Sequence, residues 1–208
     1  MSVGEKCQNL RNAIESSRGE REVHRQLEMN PWVVLRLFET SQNNGYIISH
    51  FSLGDEFEAD LVVLCGFSGG WNVHFVELEP PSLSPFNKSG DYSPRLNHAA
   101  GQVRRWKLFI EQPSKETYLI SQLARAAQAK DLLWRNGQAP TDAVGWRFDD
   151  PRSMHLFHFH VVMGRRQNLD DTLMTRKAGL LETDGFQLIT YDRVLVWANS
   201  IERDPTYA

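Results

Sequence analysis

The chain has 208 residues, of which 41% are hydrophobic, 11% aromatic and 24% charged, with a formal net charge of −3 at pH 7. That length and balance fit one globular domain and argue against a disordered or fibrous chain. The slight negative charge excludes wholesale electrostatic attraction to nucleic acid, so such a partner has to meet a local basic patch.

The opening segment, MSVGEKCQNLRNAIESSRGE, lacks the apolar core of a signal peptide, and no run approaches the roughly 18 apolar residues of a membrane span. The chain is therefore expected in the cytoplasm, with residues 1–18 as an extension and 19–208 as the domain. Cys7 and Cys65 are too few for a disulfide framework and lack the CxxC spacing of a zinc site, which leaves reduced thiols.

Next, SRGEREVHRQLEMNPWVVLRLFE carries a cap candidate at Ser17, Val23 and Leu27 at i,i+4 spacing, and Pro31 to restart the chain. It predicts two short helices, about 19–28 and 31–39. YIISHFSLGDEFEADLVVLCG and WNVHFVELE are rich in β-branched and aromatic residues, with turn signals before and between them, and predict a three-stranded meander. A Pro-, Gly- and Ser-rich loop follows from Pro80 to Pro94, long enough to invite a functional role. RLNHAAGQVRRWKLFIEQ reads as a helix ended by Pro113, and KETYLISQLARAAQAKDLLW as a further helix or a broken strand and helix. After a loop, HLFHFHVVMGR reads as a strand. NLDDTLMTRKAGLLE is a helix capped by Asn168, and FQLITYDRVLVWANSI a strand running into a last helix. The sum is an α/β domain with a mixed sheet flanked by helices.

Three acids interrupt the meander. Side chains alternate on a strand, so Glu77 and Glu79 project from one face roughly 6–7 Å apart. Asp60 lies between Ala59 and Leu61 on the neighbouring strand. If those strands pair, three carboxylates converge, and their repulsion calls for a cation. Hard oxygen ligands suit Mg²⁺ or Mn²⁺, an ion that lowers the pKa of a bound water and stabilises charge in phosphodiester hydrolysis. The plain alternative is a solvated face near the strand ends.

On the next helix, Arg95, His98 and Gln102 share a face, and Arg104, Arg105 and Lys107 follow. An amphipathic helix with Leu96, Ala99, Ala100, Val103 and Trp106 inward accounts for most of this pattern. His158 and His160 share a strand face, with His155 on the other, but no third zinc ligand lies within reach by sequence. Arg165 and Arg166 stand at a strand-to-helix turn where phosphate could be held. Neither a P-loop nor a GxSxG elbow is present.

Taken in order, the Glu-bearing first helix, EAD, VELEPP, FNKSGDYSPRLNHAAGQVRRW, VVMGRR and LITYDRVL resemble the Shedu family of bacterial anti-phage proteins, also catalogued as a domain of unknown function. The resemblance implies a PD-(D/E)XK, restriction-endonuclease-like fold. It also implies a Mg²⁺- or Mn²⁺-dependent endonuclease that nicks or cleaves double-stranded DNA in phage defence, and assembly into homo-oligomers. It puts Asp60 in the place of the metal-binding Asp, Glu77 in that of the tripeptide acid and Gln102 in that of a Gln found in RecB-like members. Glu20 or Glu22 stands where some members use a further acid. Arg95, Arg104, Arg105, Arg165 and Arg166 would contact phosphates. The tripeptide departs from the pattern: Glu79 stands where Lys is usual. Either Glu79 becomes an extra metal ligand while Lys88 or His98 replaces the cation, or the domain has lost its chemistry and binds DNA or a partner within a defence complex.

Overall fold

The computed structural model describes residues 1–16, 19–38, 45–128 and 141–204, and the backbone of 134–135. The cap candidate Ser17 lies outside the described residues. Seven helices, α1 (Val3–Ser16), α2 (Glu20–Glu28), α3 (Pro31–Phe38), α4 (Pro94–Ile110), α5 (Pro113–Ala126), α6 (Asp171–Thr183) and α7 (Tyr191–Arg203), surround one sheet. Its strands are β1 (Gly45–Leu53), β2 (Phe57–Phe67), β3 (Gly70–Leu78), β4 (Trp134–Arg135), β5 (Met154–Val162) and β6 (Gln187–Ile189), in the order β4-β1-β2-β3-β5-β6. The β4, β1, β2 and β3 neighbours are antiparallel, and β3, β5 and β6 run parallel. This is the expected mixed sheet flanked by helices.

Both faces are covered, which explains the nearly unbroken apolar run in β2. On one face Tyr46, Val62, Leu64, Trp71, Val73 and Phe75 pack against Leu96, Val103 and Trp106 of α4 and Leu119 and Leu123 of α5. On the other, Ile47, Leu61, Val63, Val76 and Leu78 meet α1, α2, α3 and α7 through Leu10, Val23, Leu27, Val33, Val194 and Ile201. The first eighteen residues, expected as an extension, include a helix whose Cys7, Leu10, Ala13 and Ile14 are buried in that second core. Cys7 and Cys65 form no disulfide among the described residues, and both are buried. No described helix is long and apolar enough to cross a membrane.

Local chemistry sets the boundaries near the site. Ser93 caps α4 by accepting from the Leu96 N–H at 3.2 Å, and Pro94 fits the first helical position. The segment after α4 resolves into α5 and the two-residue β4, and Pro113 opens α5 as well as following α4. The cap of α6 corrects the sequence reading: Asp170, not Asn168, accepts from the Leu173 N–H at 2.8 Å, while Asn168 ends a short 3₁₀ turn. Gly164, at φ +67°, is a junction beneath the acids. Its N–H reaches Pro80 O at 3.4 Å and its carbonyl accepts from Tyr191 N at 3.0 Å, joining the segment after β3 to the start of α7.

Candidate metal centre

The site begins where two strands part. Pairing of β2 with β3 ends at Leu61↔Val76, so Asp60 has no ladder partner on β3. The Asp60 carboxylate fills the gap, and its Oδ2 accepts from the Leu78 N–H at 2.7 Å. On the far side of the same strand end, Glu79 N donates to Val162 O at 2.9 Å. The chain around both acids is thereby fixed by backbone hydrogen bonds rather than left as a frayed end.

Side-chain alternation also resets here. Ala59 and Val62 both face the first core, with two residues between them instead of one, and on β1 the same is true of Ile48 and Phe51. The intervening pairs are Asp60–Leu61 and Ser49–His50, and His50 has φ +50°, the only positive φ among the described non-glycine residues. The reset carries Asp60 towards α2, where His24 Nδ1 lies 3.9 Å from its Oδ1.

Glu77 and Glu79 are almost completely enclosed, at 8% and 2% exposure. Burial, followed by the charges of Asp60, Glu79 and Glu20, pushes the Glu77 carboxyl up to about 9. Burial raises Glu79 to about 7 against the opposing pull of Arg95, and raises Asp60 as well. Each of these three carboxyls responds to Glu20, so the four acids form one electrostatic group. Glu22 stands apart, exposed and bonded to Arg25 and Gln26. Of the two first-helix candidates, Glu20 is the one at the site.

Gln102 donates to Glu77 Oε2 at 3.1 Å and to Glu58 O at 3.2 Å, so the predicted helix-to-strand link exists. Arg95 places Nη1 3.6 Å from Glu79 and Nη2 3.8 Å from Glu20, and Arg105 lowers the Glu77 pKa from the same face of α4. The cation at the acids is therefore Arg95. His98 is exposed on α4, and Lys88 lines a separate cleft beside Asn168 and Asp170. The other arginines are engaged elsewhere. Arg104 pairs with Asp184, and Arg165 Nε bonds Asp192 at 3.2 Å. The Arg166 N–H also reaches Asp192, at 2.5 Å, so the protein's own carboxylate sits where a phosphate at that turn would sit.

Two contributors escaped the sequence reading. His24 is four residues from Glu20 on α2, a spacing that puts both on one side of the helix, and it is buried. Tyr191, the first residue of α7, is fully buried, and its hydroxyl has no hydrogen-bond partner among the described residues. Its pKa is raised by burial and then by Asp60, Glu79 and Glu20, which places it among the same acids. Glu79 Oε2 likewise makes no hydrogen bond within the described residues. That oxygen faces Arg95 Nη1 at 3.6 Å, an ion pair too long for a hydrogen bond, so the cluster holds three raised-pKa carboxyls and an unbonded Tyr191 hydroxyl around one guanidinium.

The family model for Shedu protein SduA, C-terminal, matches residues 17–195. The chain belongs to this Shedu family. Membership points to a role in anti-phage defence and covers every residue of the site just described. No curated protein matches the chain.

Proposed function

We propose that this Shedu-family chain is a metal-dependent endonuclease that nicks or cleaves double-stranded DNA during phage defence, on a PD-(D/E)XK fold comprising residues 19–208. The observation that carries this reading is the gathering of half-buried Asp60 with buried Glu77 and Glu79 at the parting of two strands, with the pKa of each raised. Ionising the three together is costly without a further positive charge, which a bound cation would supply.

The oxygen donors fit Mg²⁺ or Mn²⁺. Asp60, Glu77 and Glu79 would hold the ion, with Glu20 at the rim. A bound ion of this kind supplies an activated water and neutralises charge developing on the phosphate. Gln102 is then a positioning residue, since its amide fixes one Glu77 oxygen against the Glu58 carbonyl. Arg95 takes the task of the tripeptide Lys. Its guanidinium contacts Glu79, and its side chain is 49% exposed at a cleft of about 460 Å³ shared with Glu20 and Pro80. It can turn from Glu79 to a phosphate without crossing the core. Arg95 and Arg105 form the nearest phosphate contacts, and Arg166 lies further out on an exposed turn. Homo-oligomerisation, checked by light scattering, belongs to the same proposal.

The second reading, a silent DNA- or partner-binding module, is favoured by one observation: Glu79 occupies the tripeptide Lys position and already has Arg95 as its counter-charge. Supercoiled plasmid incubated with Mg²⁺ or Mn²⁺ separates the two. Cutting by the wild type that is lost in Asp60→Asn and Glu77→Gln, with DNA affinity retained, supports the enzyme. Binding without cutting, in wild type as in the variants, supports the module.

A further inference from the structure

We propose that His24, His50 and Asp60 form a site for a transition ion of the Zn²⁺ class, on the α2 side of Asp60 and distinct from the all-oxygen pocket of Glu77 and Glu79. It shares Asp60 with the proposed nuclease centre but does not require that centre to cut DNA.

Each of the three residues offers a ligand atom, and these atoms lie within 4.8 Å of one another. The His24 and His50 rings are 4.6 Å apart and inclined by 32°. His24 Nδ1 and Asp60 Oδ1 are separated by 3.9 Å, too far for a hydrogen bond. An ion with bonds of roughly 2.0–2.2 Å to nitrogen and oxygen would span that gap.

Both imidazoles are backed by carboxylates. Glu58 Oε1 bonds His50 Nδ1 at 3.0 Å, leaving Nε2 turned inward. Glu28 Oε1 stands 3.8 Å from His24 Nε2 and 4.0 Å from His50 Nε2, and it accepts a hydrogen bond from Ser49. Carboxylates behind ligating imidazoles fix ring orientation and raise ligand basicity. Two imidazoles select Zn²⁺ or Co²⁺ over Mg²⁺, which prefers oxygen.

The backbone supplies an independent sign. Left-handed φ at a histidine within a strand is a strained choice, and it is what turns His50 from the α4 face towards His24.

The test uses Co²⁺, titrated into the full chain under excess Mg²⁺ and read by its visible absorption bands. Saturable binding of one ion per chain is expected. His50→Gly keeps the positive φ without strain, and His50→Asn tolerates it, so circular dichroism should show both variants folded. Each should lower cobalt affinity by at least about tenfold, whereas Glu77→Gln should leave the bands intact. Bands that disappear in Glu77→Gln but persist in His50→Gly would overturn the proposal, as would no cobalt binding by the wild type. A wild type that binds cobalt but fails to cut plasmid would refute the nuclease reading alone.

Discussion

Strand β3 carries two buried ionisable groups on opposite faces, His74 and, three residues later, Glu77. His74 packs against Phe38 and His158, with ring centroids 5.0 and 4.8 Å away, and its Nδ1 lies 3.0 Å from His160 Nε2. Glu77 faces α4 and the other carboxyls. Both are held uncharged when no ion is present, because burial is the leading cause in each case. It drives His74 down to about 2 and His160 to about 3, and Glu77 up to about 9. The difference lies in what neutrality leaves behind. Neutral imidazoles stack and share one hydrogen bond, and although His74 Nε2 makes none among the described residues, no charge is left to balance. The carboxyls instead crowd one another with Arg95 as the paired counter-charge, and ionising them together calls for a further cation.

Removing a carboxylate breaks the comparison most directly. Asp60→Asn or Glu77→Gln should lower plasmid cutting on the order of 10²–10³-fold, while the folded state persists, as monitored by circular dichroism. Metal-free Glu77→Gln should also lose the alkaline sensitivity of the wild type. Glu77 holds its proton more tightly folded than unfolded, so its contribution is complete below about pH 4.5 and is lost as pH rises towards 9. The histidine side has the opposite sign. His74 and His160 bind protons less tightly when folded, so stability is complete above about pH 6.5 and falls as the medium is acidified. Each should cost about 2 kcal/mol by pH 5, and His74→Phe should flatten the acid limb of a urea-melt series. Between pH 4.5 and 6.5 the two clusters oppose each other, so stability should climb more steeply with pH in Glu77→Gln than in the wild type.

How much of this was legible beforehand differs by residue. The β1–β3 meander, α4 and the Asp60, Glu77 and Glu79 group followed from periodicity and from acids out of place in apolar strands. Gln102 was legible because it sits on the one α4 face that leaves the core. Helix α1 was not, since Leu10, Ala13 and Ile14 make a weak stripe that only docking on α7 completes. His24 and His50 were illegible for a geometric reason. A period-2 reading sends His50 to the wrong face, and only the reset at positive φ brings it to α2. The choice of Arg95 over Lys88 and His98 likewise depends on where the loop after β3 delivers the start of α4.

Smaller effects sharpen the picture. Gly164→Ala, whose added Cβ would meet Leu83 O at 2.6 Å, should cost about 1–3 kcal/mol. It should also weaken Mn²⁺ binding by shifting Pro80 and Tyr191, a combination measured by thermal melts with and without the ion. Tyr191→Phe removes a buried hydroxyl that has no partner, so it should be neutral or stabilising by less than about 1 kcal/mol in metal-free protein. With Mn²⁺ present, the same variant should show a smaller gain in melting temperature than the wild type.

The central claim is that Glu77, and in part Glu79, holds a proton that a divalent ion would displace. Calorimetric titration of Mn²⁺ near pH 7, in buffers of different ionisation enthalpy, counts the protons that the ion displaces. The account predicts proton release on binding, an affinity that rises with pH towards about 9, and loss of the released proton in Glu77→Gln. Binding without proton release, or equal affinity in wild type and Glu77→Gln, would contradict it.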